Sequence, residues 1–212
     1  MSNIFKVSER STWSTNNPVL LPGEVGQEAI TNNVKVGDGR SRWNQLPYFA
    51  SPGYWGSFWD ETSQTAIANT PTAILLRSTD TNGRGVGIIN QSRITVDHAG
   101  VYSFTFSIQF SNSDTVIHDI NVWLRKNDSG ATGDVAASDS RFSVIASHGG
   151  VHGNVIGTVN FVLKLEANDY IELIWATSHA NAYILAETAQ TSPFTHPSIP
   201  GVICTVTQVA SA

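Results

Sequence analysis

The sequence predicts an all-β protein, a two-sheet antiparallel sandwich or barrel preceded by a small hairpin-rich element. Three observations predict it. Charged residues make up only 14% of the 212-residue chain, against about 25% in ordinary soluble domains, so the Lys and Glu that clothe solvated helix faces are scarce. Hydrophobic residues reach 41% at a net charge of −5, a balance that excludes disorder. Apolar positions alternate with period two in segment after segment, and turn residues separate the segments at even spacing.

The length accommodates one substantial domain with a small extra element, or two small domains. Residues 1–17 are polar and carry no clear period. Residues 18–49 are expected to form short strands broken by Pro22-Gly23, Asn32-Asn33 and Gly37-Asp38-Gly39, each a turn signal with a backbone reason behind it. So short a piece cannot bury a self-sufficient core and is expected to lean on the main domain, a sister chain or a larger assembly. Ala50-Ser51-Pro52-Gly53 is the expected joint, dividing the chain into residues 1–49 and 50–212.

Beyond the joint the clearest strand is Val101 to Phe110. Tyr102, Phe104, Phe106, Ile108 and Phe110 fall on one face, and Val101, Ser103, Thr105, Ser107 and Gln109 on the other. Such alternation marks a half-buried strand. Ile120 to Arg125, Val155 to Leu165, Tyr170 to Trp175 and Val202 to Val209 read the same way. Shorter candidates are Tyr54–Trp59, Ala73–Arg77, Gly85–Ile89, Arg93–Val96 and Arg141–Ser147. No repeat of 20–50 residues is visible, which argues against a solenoid or propeller.

Composition also bounds function. No basic stripe offsets the acidic balance, so no nucleic-acid partner is expected. The single cysteine, Cys204, excludes an intrachain disulfide framework, and its alternating surroundings make it a small apolar core residue. No apolar run approaches the roughly 18 residues that span a membrane, so membrane insertion is not expected. Met1-Ser2-Asn3-Ile4-Phe5-Lys6 lacks a signal-peptide apolar core, and synthesis in a cytosol without export by the usual route is the expectation.

Two resemblances arise. Leu21-Pro22-Gly23-Glu24-Val25-Gly26-Gln27-Glu28, Val34-Lys35-Val36-Gly37-Asp38-Gly39, Trp43-Asn44 and Leu46-Pro47-Tyr48 resemble a short N-terminal module of phage tail and tropism proteins and prophage hyaluronidases. That resemblance implies attachment to other virion proteins through residues 18–49. Arg93-Ile94-Thr95-Val96, Gly100-Val101-Tyr102-Ser103-Phe104, Trp123-Leu124-Arg125-Lys126-Asn127, and Leu163 and Leu165 before Asn168-Asp169-Tyr170-Ile171 resemble the jelly-roll domains of the tumour-necrosis-factor and complement-globular-head superfamily. Tyr54 to Asp60 and Phe110 to Asp114 look more like cyanophage structural proteins. The usual Gly-Asp before the penultimate strand is Asn168-Asp169 here, and Asn tolerates the same left-handed backbone. The resemblance implies an antiparallel jelly-roll sandwich and a homotrimer. Trp123, opposite Ile120, Val122 and Leu124, and Trp175, opposite Tyr170 and Ile174, are expected to give both sheets apolar groups on two faces, which a subunit interface would bury. The alternative is a loop over each Trp.

Chemistry is sparse. No Gly-x-Ser-x-Gly elbow or catalytic Cys signature is present. Asp38, Asp80, Asp97, Asp114, Asp128, Asp134, Asp139 and Asp169 lie in turns, where Asp caps the backbone. Asp60-Glu61 is a poor acid/base pair, since strand neighbours point to opposite faces. His148 and His152 stand four apart in a Gly-rich loop where no helix aligns them, and a metal is expected only if a trimer axis gathers them. Asp80-Thr81-Asn82-Gly83 lacks the terminal Glu of a calcium loop. Tyr54, Trp55, Phe58 and Trp59 are expected to form a strand that packs against the jelly roll or a neighbouring subunit, with stacking on sugars the alternative, while Tyr183 and Phe194 lie in loops. The loops after Ser111, Asn127 and His179 are the expected binding tip.

The reading is a non-enzymatic bacteriophage virion structural protein with no catalytic, cofactor-binding or metal residues assigned and no cofactor. It is expected to be a homotrimer assembled in host cytoplasm, a short tail or baseplate fibre or spike in host attachment that touches a host-surface glycan. A capsid decoration protein is the alternative, and a polysaccharide depolymerase the alternative of another class.

Overall fold

In the computed structural model, which describes residues 5–50 and 53–211, the chain divides into two units, residues 1–53 and 54–212. The start Met1–Ile4 and the joint residues Ser51 and Pro52 lie outside the described residues.

The first unit contains β1 (Phe5–Ser8), α1 (Arg10–Asn16), β2 (Val25–Glu28), β3 (Val34–Val36) and β4 (Tyr48–Ala50). They form a sheet in the order β1-β2-β3-β4, with β1 parallel to β2 and the other pairs antiparallel. Residues 5–16 are therefore ordered, contrary to the featureless reading of the N-terminal segment. Their one buried anchor, Trp13, is too little to generate a period. The core of Trp13, Leu20, Trp43 and Leu46 draws its first member from this segment.

Polar groups complete that small interior. Glu28 is fully buried and accepts hydrogen bonds from the Tyr48 hydroxyl at 2.6 Å and from Thr31. Lys35, only 5% exposed, donates to the Trp43 carbonyl at 2.8 Å and lies over the Trp43 and Tyr48 rings at 5.0 and 4.4 Å. Burial pulls its ammonium below the ordinary lysine value, and the cation is offset by ring faces and a carbonyl. The motif glycines are contact glycines. A Cβ on Gly26 would meet the Trp43 ring at 2.5 Å, and one on Gly37 the Leu21 carbonyl at 2.3 Å.

The second unit is a two-sheet jelly-roll sandwich. Its strands are β5 (Trp55–Asp60), β6 (Thr72–Ala73), β7 (Ser78–Thr79), β8 (Val86–Ile89), β9 (Arg93–Val96), β10 (Gly100–Asn112), β11 (His118–Lys126), β12 (Ser140–Val144), β13 (Gly153–Leu165), β14 (Tyr170–Thr177), β15 (Ala182–Ile184) and β16 (Val202–Ser211). One sheet runs β13-β10-β16-β5-β7, with β15 on β10, and the other β12-β11-β14-β9-β8, with β6 on β14.

The aromatic face of β10 builds the core as its alternation predicts. Tyr102, Phe104, Phe106, Ile108 and Phe110 are buried with Phe58, Val202, Cys204 and Val206 of the same sheet. They meet Ile120, Val122, Leu124, Ile171, Leu173 and Trp175 of the facing sheet. Trp175 thus corrects the sequence reading. It lies wholly inside the sandwich and offers nothing to a second interface.

The expected strand Ala73–Arg77 also divides. Ala73 pairs with β14 and Ser78 with β5, so Ile74 and Leu76 are buried where the chain crosses between sheets. The Gln64 side chain replaces a strand neighbour there, accepting from the Leu75 amide at 2.9 Å and donating to its carbonyl at 2.8 Å. Three-residue β15, which pairs with the end of β10, is too short to show alternation.

Candidate functional site

Strand alternation places Asn121 and Trp123 on the outer face of β11, beside Ala176 of β14. The segment after β11 folds back along that strand. The Val135 amide donates to the Leu124 carbonyl at 2.9 Å, the Leu124 amide to the Ser138 hydroxyl at 3.0 Å, and Arg125 Nε to Asp134 at 2.7 Å. The result is an open hollow of about 420 Å³ lined by Asn121, Trp123, Asp134, Val135, Ala137, Asp139 and Ala176. A loop therefore walls one side of Trp123, the alternative the sequence left open. A second hollow of about 220 Å³ shares Asn121 and Ala176 and adds Asp119, Arg141 and Ser178.

The polar rim is held in place. Asn121 donates to Asp139 at 2.8 Å, and Ser143 to Asp119 at 2.7 Å. Burial would raise the Asp134 carboxyl, but the Arg125 bond, the Trp123 indole N–H and the Arg125 charge together outweigh it and keep the group below its ordinary value. Asp134 is thereby an ionised acceptor and a poor proton donor. An aromatic flank with fixed carboxylate and amide acceptors suits a polyhydroxylated ligand, whose C–H face packs on the ring while its hydroxyls donate.

The outer face of the other sheet has a different character. Register aligns Asn160, Thr105, Thr205 and Ser57 in one row, Thr158, Ser107, Ile203 and Trp59 in the next, and Val162, Ser103, Thr207 and Trp55 in a third. None of these side chains is charged. Ile156, Val162, Ile203 and Val209 are 63%, 59%, 40% and 57% exposed. Asn160 Nδ2 ties part of this face together, donating to Ser103, Thr105 and the Phe104 carbonyl at 3.0, 2.7 and 3.1 Å.

Strand direction corrects the expected binding tip. The loops after Ser111 and His179 meet, with the Ser113 amide donating to the Asn181 carbonyl at 3.0 Å. The Asn127 loop lies at the opposite end, where the Asn127 amide donates to Tyr170 and its side chain to Asp169. At the Ser111–His179 end, His118 Nε2 is 3.0 Å from Asp114 Oδ2, and His179 Nδ1 is 3.9 Å from the same oxygen. The sequence reading assigned Asp114 to turn capping and did not connect it with either histidine. They are 4 and 65 residues away, and only the pairing of β11 with β14 brings them together.

The other sequence candidates fall apart or serve the fold. Asp60 is buried and bonded to Arg77 and to Gln64 at 2.7 Å, while Glu61 turns outward to Ser198 at 2.6 Å. Asp38 and Asp80 accept backbone amides two residues on, at 2.8 and 2.9 Å. His148 and His152 flank the Gly149-Gly150 turn, and His152 meets the Tyr183 hydroxyl at 3.1 Å. Tyr183 sits in β15, whereas Phe194 is exposed beside His196. Tyr54 stacks on His98 at 4.1 Å, and Phe58 enters the core. Among the described residues no helix is long and apolar enough to cross a membrane.

No protein-family model matches the chain, and no curated protein does. Among solved structures it is similar to "Structure of Eiger TNF from S. frugiperda", at 13% identity over 76% of this chain and 96% of that one, with a TM-score of 0.52. "Globular Domain of Zebrafish Complement 1qA protein" matches at 13% identity over 76% and 99%, with a TM-score of 0.45. At such identity the first likeness establishes the jelly-roll fold.

Proposed function

We propose that the protein is a non-enzymatic structural component of a bacteriophage virion, a homotrimer acting as a short tail or baseplate fibre or spike in host attachment. The observation that carries the assembly is the outer face of β13-β10-β16-β5. It combines exposed Ile156, Val162, Ile203 and Val209 with a neutral middle in which Asn160 bonds to Ser103 and Thr105. The nearby charge of Lys164 lies in the row of Val101 at the end of the strands, so burial of the middle against further copies desolvates no charge. The sequence resemblance of residues 18–49 to tail and tropism modules supports a tail location, with that unit holding other virion proteins. The Trp123 hollow supports contact with a host-surface glycan.

Native mass measurement tests the assembly. A species of three times the 22.9 kDa chain at micromolar concentration is expected, and a well-folded single chain overturns it. Immunogold labelling of intact particles is expected to mark the tail. Label on the head would replace that role with capsid decoration. Release of reducing sugar from host envelope would replace it with a depolymerase.

A further inference from the structure

We propose that Asp114, His118 and His179 form a binding site for a divalent transition metal of the zinc class. Neutral imidazole nitrogens and a carboxylate oxygen are donors for such ions. The three ligand atoms all lie within 4.8 Å of one another. In a tetrahedral site with metal–ligand bonds of about 2.0–2.1 Å, neighbouring ligand atoms stand about 3.3 Å apart. The observed separations of 3.0 and 3.9 Å from Asp114 Oδ2 bracket that value.

Turn capping alone does not account for the arrangement. Asp114 Oδ1 accepts the Thr115 amide at 2.7 Å, which meets the needs of the turn. Oδ2 faces two imidazoles, stacked with centroids 4.5 Å apart and planes 10° from parallel. One oxygen aimed at two basic rings is the geometry a shared cation would close. The amide on Oδ1 is the outer bond that orients a ligating carboxylate.

The backbones carrying these groups are stitched together before any ion arrives. Ser113 is bonded to Asn181 at 3.0 Å, the Ser147 amide to the Asp114 carbonyl at 2.7 Å, and the Ser178 amide to the Asp119 carbonyl at 2.8 Å. Side-chain exposures of 12% for His118, 29% for Asp114 and 48% for His179 describe a site closed on one side and open on the other. His179 Nδ1 receives only a long 3.3 Å bond from the Asn181 amide, which a metal displaces as the ring tilts inward. Three protein ligands leave a fourth position for water or an oxygen donor on the open side. The site is separate from the Trp123 hollow, and its existence does not depend on the virion role.

Zinc titration of the full-length protein, stripped with a chelator and dialysed, against a chromophoric competitor tests the site. One ion per chain, bound more tightly than about 10 μM, is expected, and Co²⁺ should give visible absorption bands of an imidazole-carboxylate site. His179→Ala alters an exposed side chain and should weaken binding at least about tenfold. Asp114→Asn keeps the amide-accepting oxygen and should do the same with an unchanged circular dichroism spectrum. His148→Ala with His152→Ala should bind as the parent does. No binding tighter than about 10 μM, full affinity in His179→Ala or Asp114→Asn, or loss in the His148/His152 variant would each overturn the assignment.

Discussion

The indole of Trp13 lies flat on that of Trp43, ring centres 4.2 Å apart and planes 12° from parallel. Its Nε1 donates to the Gln27 carbonyl at 2.9 Å, so one side chain ties α1 both to the Trp43 turn and to β2. Trp13→Ala should cost about 3–5 kcal/mol, a large share of what a unit this small can hold. Hydrogen exchange at the β2 amides should accelerate while the β10 amides keep their protection. Equal β2 protection in parent and variant would show that the stack is decorative.

That pair also marks where sequence reading stopped. Tyr102 to Phe110 announced their strand and its buried face because every second side chain is large and apolar. Trp13 carried no such signal: a seven-residue helix with one buried position has no period to detect. Trp175 misled for a related reason. Alternation assigns faces but not which face is inward, and with Tyr170 and Ile174 on one side and Leu173 and Trp175 on the other, both looked apolar. The Asp114, His118 and His179 group was illegible because it is made by pairing between strands distant in sequence, whereas Asp38 was legible because its partners are its neighbours.

Asp38 gives the first unit an acid-sensitive turn. The Ser41 hydroxyl, with the Arg40 and Ser41 amides, lowers its carboxyl to about 2 from the ordinary 3.8. A folded value below the unfolded one stabilises the fold above the unfolded value, and that contribution is lost as pH falls from 3.8 toward about 2. Thermal unfolding followed by tryptophan fluorescence should show the midpoint falling through this window. Asp38→Asn should be less stable at neutral pH yet show a shallower fall, and an identical slope would remove Asp38 as a contributor.

Gly157 faces inward on β13, where a Cβ would meet Phe110 at 2.6 Å and Phe142 at 3.0 Å. Those rings pack on each other at 5.3 Å and cannot both retreat. Gly157→Ala is expected to destabilise by about 1–3 kcal/mol. At Gly87 the nearest atom to a new Cβ is Thr95 Oγ1 at 3.5 Å, an ordinary contact, and Gly87→Ala should be neutral or slightly stabilising. Urea midpoints of the two variants check the contrast.

Cys204 is completely buried between Phe58 and Phe106, and burial pushes its thiol far above the ordinary value. Native protein should therefore resist thiol reagents and react only at the rate of opening of the sandwich. Cys204→Ser places a hydroxyl among aromatic rings at a cost of about 1–3 kcal/mol. Rapid stoichiometric labelling without denaturant would contradict this placement.

Two outward residues separate assembly from ligand binding. Ile203 sits between Ser107 and Trp59 in the uncharged middle of the outer face. Its exposure lets a lysine stem lie along the sheet with the ammonium in water. Ile203→Lys should keep the single-chain fold, since no core contact is lost. A buried interface would then have to desolvate an unpaired charge from each copy, so the native mass should fall to one chain. Trp123 is on the opposite sheet, and Trp123→Ala should leave the mass unchanged while removing retention on a host-glycan array. An oligomer that survives Ile203→Lys but breaks in Trp123→Ala would move the interface to the β12-β11-β14 face and leave the hollow as part of a subunit contact.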